Sequence, residues 1–365
     1  MNLVLPVIVL AGLFIALAAM LIVAERVLIN YGICSIDINE GEEELEIEGG
    51  GTLLSALYDH EIYIPSACGG KGTCGECKVT VDAGGGPVLP TETPLLTRQE
   101  RRSGVRLGCQ VKVREDMEVR MPEEYLHVEM FQSTVVDTEE LTHDIRYIRM
   151  RLDEPEEMEF RPGQYVQVQA PSPEGPVYRA YSISNPDYET NVVELIVRLV
   201  PGGIGSTYLH NVEEGDNVTL IGPFGEFRLD WDEDTEIITV GGGCGIAPIR
   251  SIIYSVLERQ PERSVWLFFG CRSTDDLFYM KQWEKLEEKY PNFHAVIALS
   301  EPNEHDEEHW DGETGFIHLS VDKYLEPDVN RQAFLCGPPP MIEAATDVFV
   351  EKGMKPDDWF YDDFG

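Results

Sequence analysis

The sequence predicts a multidomain chain: an N-terminal transmembrane helix, a small α+β domain, an antiparallel β-barrel and a doubly wound α/β domain. Three observations carry this. Residues 3–24 contain no charged side chain. Cys68, Cys74, Cys77 and Cys109 are spaced C-x5-C-x2-C-x31-C. Beyond Thr235 the apolar pattern changes from alternation to strand followed by helix.

Composition bounds the rest. A chain of 365 residues has room for two or three domains, and 43% hydrophobic content supplies packed cores. The net charge of −38, from 66 acids against 28 bases, repels nucleic acid and anionic headgroups. With no basic stripe, nucleic-acid binding is excluded. Acid excess with nine lysines suits a high-salt cytoplasm, where screening relieves self-repulsion, or attraction to a basic partner.

Residues 3–24 as a helix span roughly 33 Å, enough for a bilayer core. Pro6 falls in the first turn, where proline is tolerated. Only Met1 and Asn2 precede the segment, so it lacks the basic n-region of a cleaved signal peptide. An anchor over residues 1–30, in contact with the lipid bilayer through residues 3–24, is expected. It carries no ionisable group between Leu3 and Ala24 and so offers no ion path of its own. Glu25 offsets Arg26, so flanking charge does not orient it.

Residues 31–127 read as the first soluble domain. Ile36 and Ile38, then Leu45 and Ile47, alternate across the turn Asn39-Glu40-Gly41-Glu42, a hairpin. Leu53, Leu54, Leu57 and Tyr58 follow at helical spacing. The loop Cys68–Cys77 holds four glycines in ten residues. Cys109 precedes alternating Val111 and Val113. Four thiolates can hold two irons as a [2Fe–2S] cluster, and glycines let backbone N–H groups approach its sulfides. A zinc site would pair two short C-x2–4-C units, and only one is present. Disulfides are the other alternative, disfavoured by the cytosolic cofactor motifs below. The order strand, strand, helix, cysteine loop resembles ferredoxin domains of the β-grasp type. Cys34, Cys244 and Cys271 read as buried, reduced thiols.

Over residues 128–231, short alternating runs such as Tyr165-Val166-Gln167-Val168 and Leu195-Ile196-Val197 lie between Pro/Gly breaks, as in a small antiparallel barrel. Residues 232–365 alternate strand and helix. The strand at 237–240 leads into Gly241-Gly242-Gly243-Cys244-Gly245-Ile246-Ala247-Pro248. Ile249, Ile252, Ile253, Val256 and Leu257 then give an amphipathic helix. Further strands are expected at 265–269, 295–299, 333–336 and 359–361, and a solvated loop at 301–308.

That glycine-rich turn puts N–H groups at a helix start, a favourable place for a pyrophosphate, although it departs from G-x-G-x-x-G and could be a structural turn. In the barrel, Arg179-Ala180-Tyr181-Ser182 offers a phosphate clamp, an aromatic ring and a hydroxyl. Gly202-Gly203-Ile204-Gly205-Ser206-Thr207 offers N–H groups and hydroxyls to a second phosphate.

R-x-Y-S, G-G-x-x-S-T, Gly222-Pro223-Phe224-Gly225, G-G-G-x-G-x-A-P and Cys336-Gly337-Pro338-Pro339, in this order, resemble the ferredoxin–NADP+ reductase superfamily. With the anchor, the fused cysteine domain and the ending Asp362-Asp363-Phe364-Gly365, the whole chain resembles the family of F subunits of sodium-translocating NADH:quinone oxidoreductases. The resemblance implies FAD, a [2Fe–2S] cluster and NADH as the cofactors and substrate. It places Tyr181 and Ser182 at the flavin ring, and Arg179, Gly203, Gly205, Ser206 and Thr207 at its phosphates. Phe364 would cover the flavin face. Gly243, Gly245 and Pro248 would line the NADH pyrophosphate site. Cys336, Gly337 and Pro338 would lie near the nicotinamide, with a buried strand-end thiol as the other reading of Cys336. Asp275 and Asp276 would repel a 2′-phosphate, while Arg272 argues the other way.

The implied activity is NADH oxidation, with electrons passing through flavin and cluster to membrane-embedded acceptor subunits. The soluble domains would lie on the cytoplasmic side of the inner membrane, and any sodium pumping would belong to the partners. A reductase component feeding an oxygenase is one alternative, and a non-enzymatic redox sensor or assembly subunit another. One departure stands out: the family carries a long insertion before R-x-Y-S, where this chain has only the short loop 171–177.

Overall fold

The computed structural model describes residues 12–17, 20, 31–173, 175–229, 231 and 235–363. Most of the expected anchor, and Phe364, lie outside these residues. Among the described residues no helix is long and apolar enough to cross a membrane. The chain divides into two compact units, Met1–Val128 and Glu129–Gly365.

The first unit holds β1 (Ile33–Ile38), β2 (Glu43–Glu48), β3 (Lys78–Ala83), β4 (Val105–Leu107) and β5 (Met117–Arg120), ordered β2-β1-β5-β3-β4. The β1–β2 turn has left-handed Asn39 and Glu40, the first of which suits that region. β1 also pairs in parallel with β5, which closes the sheet around the helix Leu53–Asp59. Thr52 caps this helix by accepting from the Ser55 N–H, and Leu53, Leu54 and Leu57 pack beneath Ile36, Ile38 and Val79. Strand β2 lies at the sheet edge with its glutamates exposed, and their charge discourages pairing with another chain.

The second unit begins with β6 (Glu129–Glu140), β7 (Ile145–Glu154), β8 (Tyr165–Ala170), β9 (Val177–Ser182), β10 (Val192–Arg198) and β11 (Asn217–Phe224). They form one sheet, β10-β7-β6-β11-β8-β9, with antiparallel pairing throughout. β10 is buried on both faces up to Arg198. Val193, Leu195 and Val197 point into the barrel core, while Ile196, with Ile145 and Tyr147, joins the core of the following layer.

That layer is the parallel sheet of β12 (Glu236–Gly242), β13 (Val265–Cys271), β14 (Phe293–Leu299), β15 (Glu313–Thr314), β16 (Arg331–Gly337) and β17 (Trp359–Asp363), ordered β15-β14-β13-β12-β16-β17. Helices Ile246–Arg259 and Met280–Lys289 cover one face, Ile317–Tyr324 and Pro339–Glu351 the other. The chain turns back between β12 and β16, the switch point where such sheets open a crevice. The stretch 301–308 departs from the solvated loop expected of it. It includes the helix Glu304–His309, and Asp306 is fully buried, accepting from the Thr274 N–H at 3.2 Å and from its hydroxyl. A capping carboxylate cannot be told from a solvated one by composition.

Candidate cofactor and nucleotide sites

In the first unit the loop between the helix Leu53–Asp59 and β3 gathers Cys68, Cys74 and Cys77, and the turn after β4 brings Cys109. Gly72 is left-handed, and a Cβ there would stand 2.5 Å from the Gln110 amide. The Gln110 end could swing aside, so it is the positive φ of 70° that favours glycine there. Burial pushes the Cys68 thiol up, but the backbone N–H groups of Thr73 and Cys74 outweigh it and bring it to about 6. The Cys77 thiol, bonding to Cys109, brings Cys109 down to about 7, and the Gln110 amide and the Gly72 N–H act in the same direction. The same bond and burial push Cys77 up. These N–H groups are the donors an anionic cluster needs. Among the described residues no three His, Cys, Asp or Glu side chains are set to hold one metal ion. The thiols instead contact in pairs, Cys68 with Cys74 and Cys77 with Cys109, which fits two irons with two thiolates each.

In the barrel, β9 and the helix Ile204–Leu209 meet at Gly205. A Cβ there would lie 2.6 Å from Tyr181 Oη and 2.8 Å from Arg179 Cγ, so glycine brings the two motifs together. Tyr181 is partly buried, and burial pushes its phenol up to about 12 with Arg179 pulling the other way. Ser182 is buried and Thr207 exposed. Ser206 turns inward, its hydroxyl accepting from the Val200 N–H at 3.1 Å, so it shapes the loop.

A cavity of about 410 Å³ opens at the carboxyl ends of the parallel strands, beside the switch point. Gly242, Gly243, Gly270, Arg272, Asp276 and Pro338 line it. Gly245 and Pro248 are buried and are not among the residues lining it. At Gly245 a Cβ would be 2.1 Å from the Cys336 carbonyl oxygen, so the turn packs directly on β16. Cys336 is 0% exposed and belongs to the core, so its thiol does not line the cavity. Asp276 pairs with Arg272 at 3.6 Å, and Asp275 is exposed outside the lining. Of the lining residues that sequence reasoning missed, two bear on binding. Arg198, at the end of β10, reaches in from the barrel and lies against Gly243, where a Cβ would meet its Nη2 at 2.6 Å. Phe316, 64% exposed, presents a ring at the cavity wall.

Three family models match in sequence order. They are a 2Fe-2S iron-sulfur cluster binding domain over residues 36–114, an oxidoreductase FAD-binding domain over 132–229, and an oxidoreductase NAD-binding domain over 239–347. The F subunit of the Na+-translocating NADH-quinone reductase of Neisseria meningitidis is 35% identical over 408 aligned positions, covering 100% of both chains. The chain belongs to this family. The Klebsiella pneumoniae relative of the same name is 33% identical, again over 100% of both chains. This family member is therefore an NADH oxidoreductase dependent on FAD and a [2Fe–2S] cluster. The alignment is longer than this chain's 365 residues, so the relatives carry segments that it lacks. Among solved structures, the Amycolatopsis cytochrome P450 reductase GcoB superposes with TM-score 0.73 and 30% identity, covering 91% of this chain and 98% of its own. A ferredoxin reductase in carbazole 1,9a-dioxygenase gives 0.69 and 27%, covering 91% and 99%.

Proposed function

We propose that this chain is the NADH-oxidising module of a membrane quinone reductase, anchored through residues 3–24, with its soluble domains in the cytoplasm. Electrons would leave it for membrane-embedded acceptor subunits, which would also carry any sodium transport. The observation behind this reading is the cavity at the sheet's switch point, walled on one side by the barrel's own Arg198. A nucleotide seated there would meet the flavin-domain strand that bears that arginine.

When bound, the flavin supplies hydride acceptance and single-electron release, and the cluster supplies single-electron relay. The chain's residues bind and orient. Arg198 and Arg272 present two cations to a pyrophosphate, beside the N–H groups of Gly243 and its neighbours. Asp276, inside the cavity, disfavours a 2′-phosphate, and Phe316 offers a face to the adenine. In the barrel, Arg179, Gly203 and Thr207 would hold flavin phosphates. Tyr181 and Ser182 would flank the ring, and Gly205 and Ser206 shape the phosphate loop. The family resemblance assigns Phe364 to the flavin, and Gly337 and Pro338 would lie on the nicotinamide side of the nucleotide site. Cys68, Cys74, Cys77 and Cys109 would ligate the cluster.

Stopped-flow absorbance of the reconstituted chain with NADH, and separately with NADPH, tests this. Flavin bleaching followed by loss of the cluster bands, much faster with NADH, is expected. Bleaching without cluster reduction would break the relay, and no bleaching with either nucleotide would refute the enzyme reading. A second reading, a reductase component feeding an oxygenase, draws on the P450 and dioxygenase reductases among the structural relatives and on the short loop 171–177. NADH-dependent quinone reduction by membranes containing the chain separates the two.

A further inference from the structure

Glu194 on β10 is 2% exposed, yet its carboxylate is a junction. It accepts from Tyr147 Oη at 2.7 Å, Arg149 Nη1 at 2.8 Å and Arg250 Nη1 at 2.7 Å. Tyr147 and Arg149 belong to the barrel strand β7. Arg250 belongs to the helix Ile246–Arg259 of the nucleotide layer, one turn beyond the glycine-rich turn. The same Arg250 Nη1 donates to the Ser184 carbonyl at 2.8 Å, two residues past Ser182. The Ser184 N–H in turn donates to the Glu194 carbonyl at 2.9 Å. Tyr254 and Tyr279 flank the guanidinium, their ring centroids 5.0 and 5.4 Å from its carbon. One side chain thus ties together the end of the R-x-Y-S strand, the strand that leads to Arg198 and the helix that begins at the pyrophosphate turn.

Attachment of the two layers does not require this charge. Ile145, Tyr147 and Ile196 of the barrel already pack with Ile249 and Ile253 of the helix in one apolar core. A buried ion pair adds little net stability over apolar residues of the same volume. What it adds is direction: apolar contacts tolerate sliding, whereas hydrogen bonds at 2.7–2.8 Å fix the helix against β10 and the segment just past β9. Hydride transfer is sensitive to such placement, because a misplacement of about 1 Å can cost on the order of a hundredfold in rate.

We propose that Arg250 is a positioning residue: through Glu194 and the Ser184 carbonyl it sets the nucleotide helix against the flavin strand, and so sets the approach of nicotinamide to flavin. This rests on the function proposed above. Arg250 touches neither cofactor and acts through the helix it holds.

The test compares the FAD-loaded full chain with Arg250→Met, Arg250→Lys and Glu194→Gln. In Arg250→Met, flavin reduction at saturating NADH should fall about ten- to hundredfold while the NADH dissociation constant moves less than about twofold. Arg250→Lys, which keeps the charge but loses the fork, should recover part of the rate. Without nucleotide, amide hydrogen exchange in Arg250→Met should quicken together in the helix Ile246–Arg259 and in residues 182–185. An unchanged rate, a loss confined to NADH affinity, or exchange that quickens in the helix alone would overturn the proposal. If Arg250→Met does not fold, Arg250→Lys and Glu194→Gln decide on the same readouts. A wild-type chain that NADH does not reduce would refute the proposed function first, and this inference with it; that control precedes any variant.

Discussion

Replacing Glu92 by alanine probes the buried clamp that shapes the cluster domain. Its side chain is 0% exposed and that of its partner Arg106 is 5% exposed. Glu92 Oε1 accepts from Arg106 Nε at 2.9 Å and from the Leu107 N–H at 3.0 Å, and Oε2 from Arg106 Nη2 at 2.7 Å and the Leu89 N–H at 2.8 Å. Arg106 also donates to the carbonyls of Gly85, Gly86 and Pro87 at 2.6, 2.9 and 3.1 Å. The pair pins the segment between β3 and β4, whose Leu95 packs over Gly75 of the cysteine loop. Alanine leaves a buried guanidinium without its counter-charge and orphans two N–H groups, a loss of about 3–5 kcal/mol. Urea unfolding of the full chain, followed by the cluster's visible circular dichroism, measures it as a lower midpoint at unchanged slope. The double variant Glu92→Leu/Arg106→Met removes both charges and should cost less than Glu92→Ala alone. A single-variant loss below about 1 kcal/mol, or a double variant as costly as the sum, would refute the reasoning.

Gly245→Ala places a Cβ 2.1 Å from the Cys336 carbonyl, and backbone cannot step aside as a side chain can. The expected cost is at least about 1–3 kcal/mol in the second unit, with NADH-dependent flavin reduction lost while the cluster's visible spectrum stays intact. Acid should weaken the cluster domain in a defined window. The Lys78 ammonium and the Thr97 N–H hold Glu100 at about 2, and Arg106 holds Glu92 below the usual range against its burial. Their folded values lie below their unfolded ones. The stability they contribute is therefore complete above about pH 4.5 and lost as pH falls toward about 2. Urea midpoints from pH 6 to 3 should fall, and Glu100→Gln should flatten the profile; identical profiles would refute this. With a net charge of −38, raising KCl from 0.1 to about 1 M shortens the screening length from about 10 to 3 Å and should raise the melting temperature. A melting temperature that falls would show that self-repulsion is not the dominant surface term.

Legibility followed locality. The cysteine loop, the R-x-Y-S run and the glycine-rich turn are runs of neighbours, and the structure places them before β3, in β9 and between β12 and its helix. The switch at Thr235 from alternation to strand–helix order is likewise a local period, and β12 begins at Glu236. Arg198 reads in the sequence only as part of an alternating strand; its place in the cavity wall arises because β10 ends at the cavity of another layer. Cys336 shows the converse. Its motif left two readings, a place near the nicotinamide or a buried strand-end thiol, and only the fold shows that β16 is buried along its whole length, Cys336 included.

Sequence by itself therefore determined the domains and their order along the chain: a 2Fe-2S domain, an FAD-binding domain and an NAD-binding domain. These depend on spacing, glycine at positions that exclude a Cβ, and hydrophobic period, all of which act between near neighbours. Tertiary structure alone decided which distant charges meet. Glu194 and Arg250 are 56 residues apart and Glu92 and Arg106 are 14 apart, and neither pair has a sequence signature. A buried carboxylate and a solvated one are the same letter. Only folding, by removing the water around one and supplying it with a guanidinium, tells them apart.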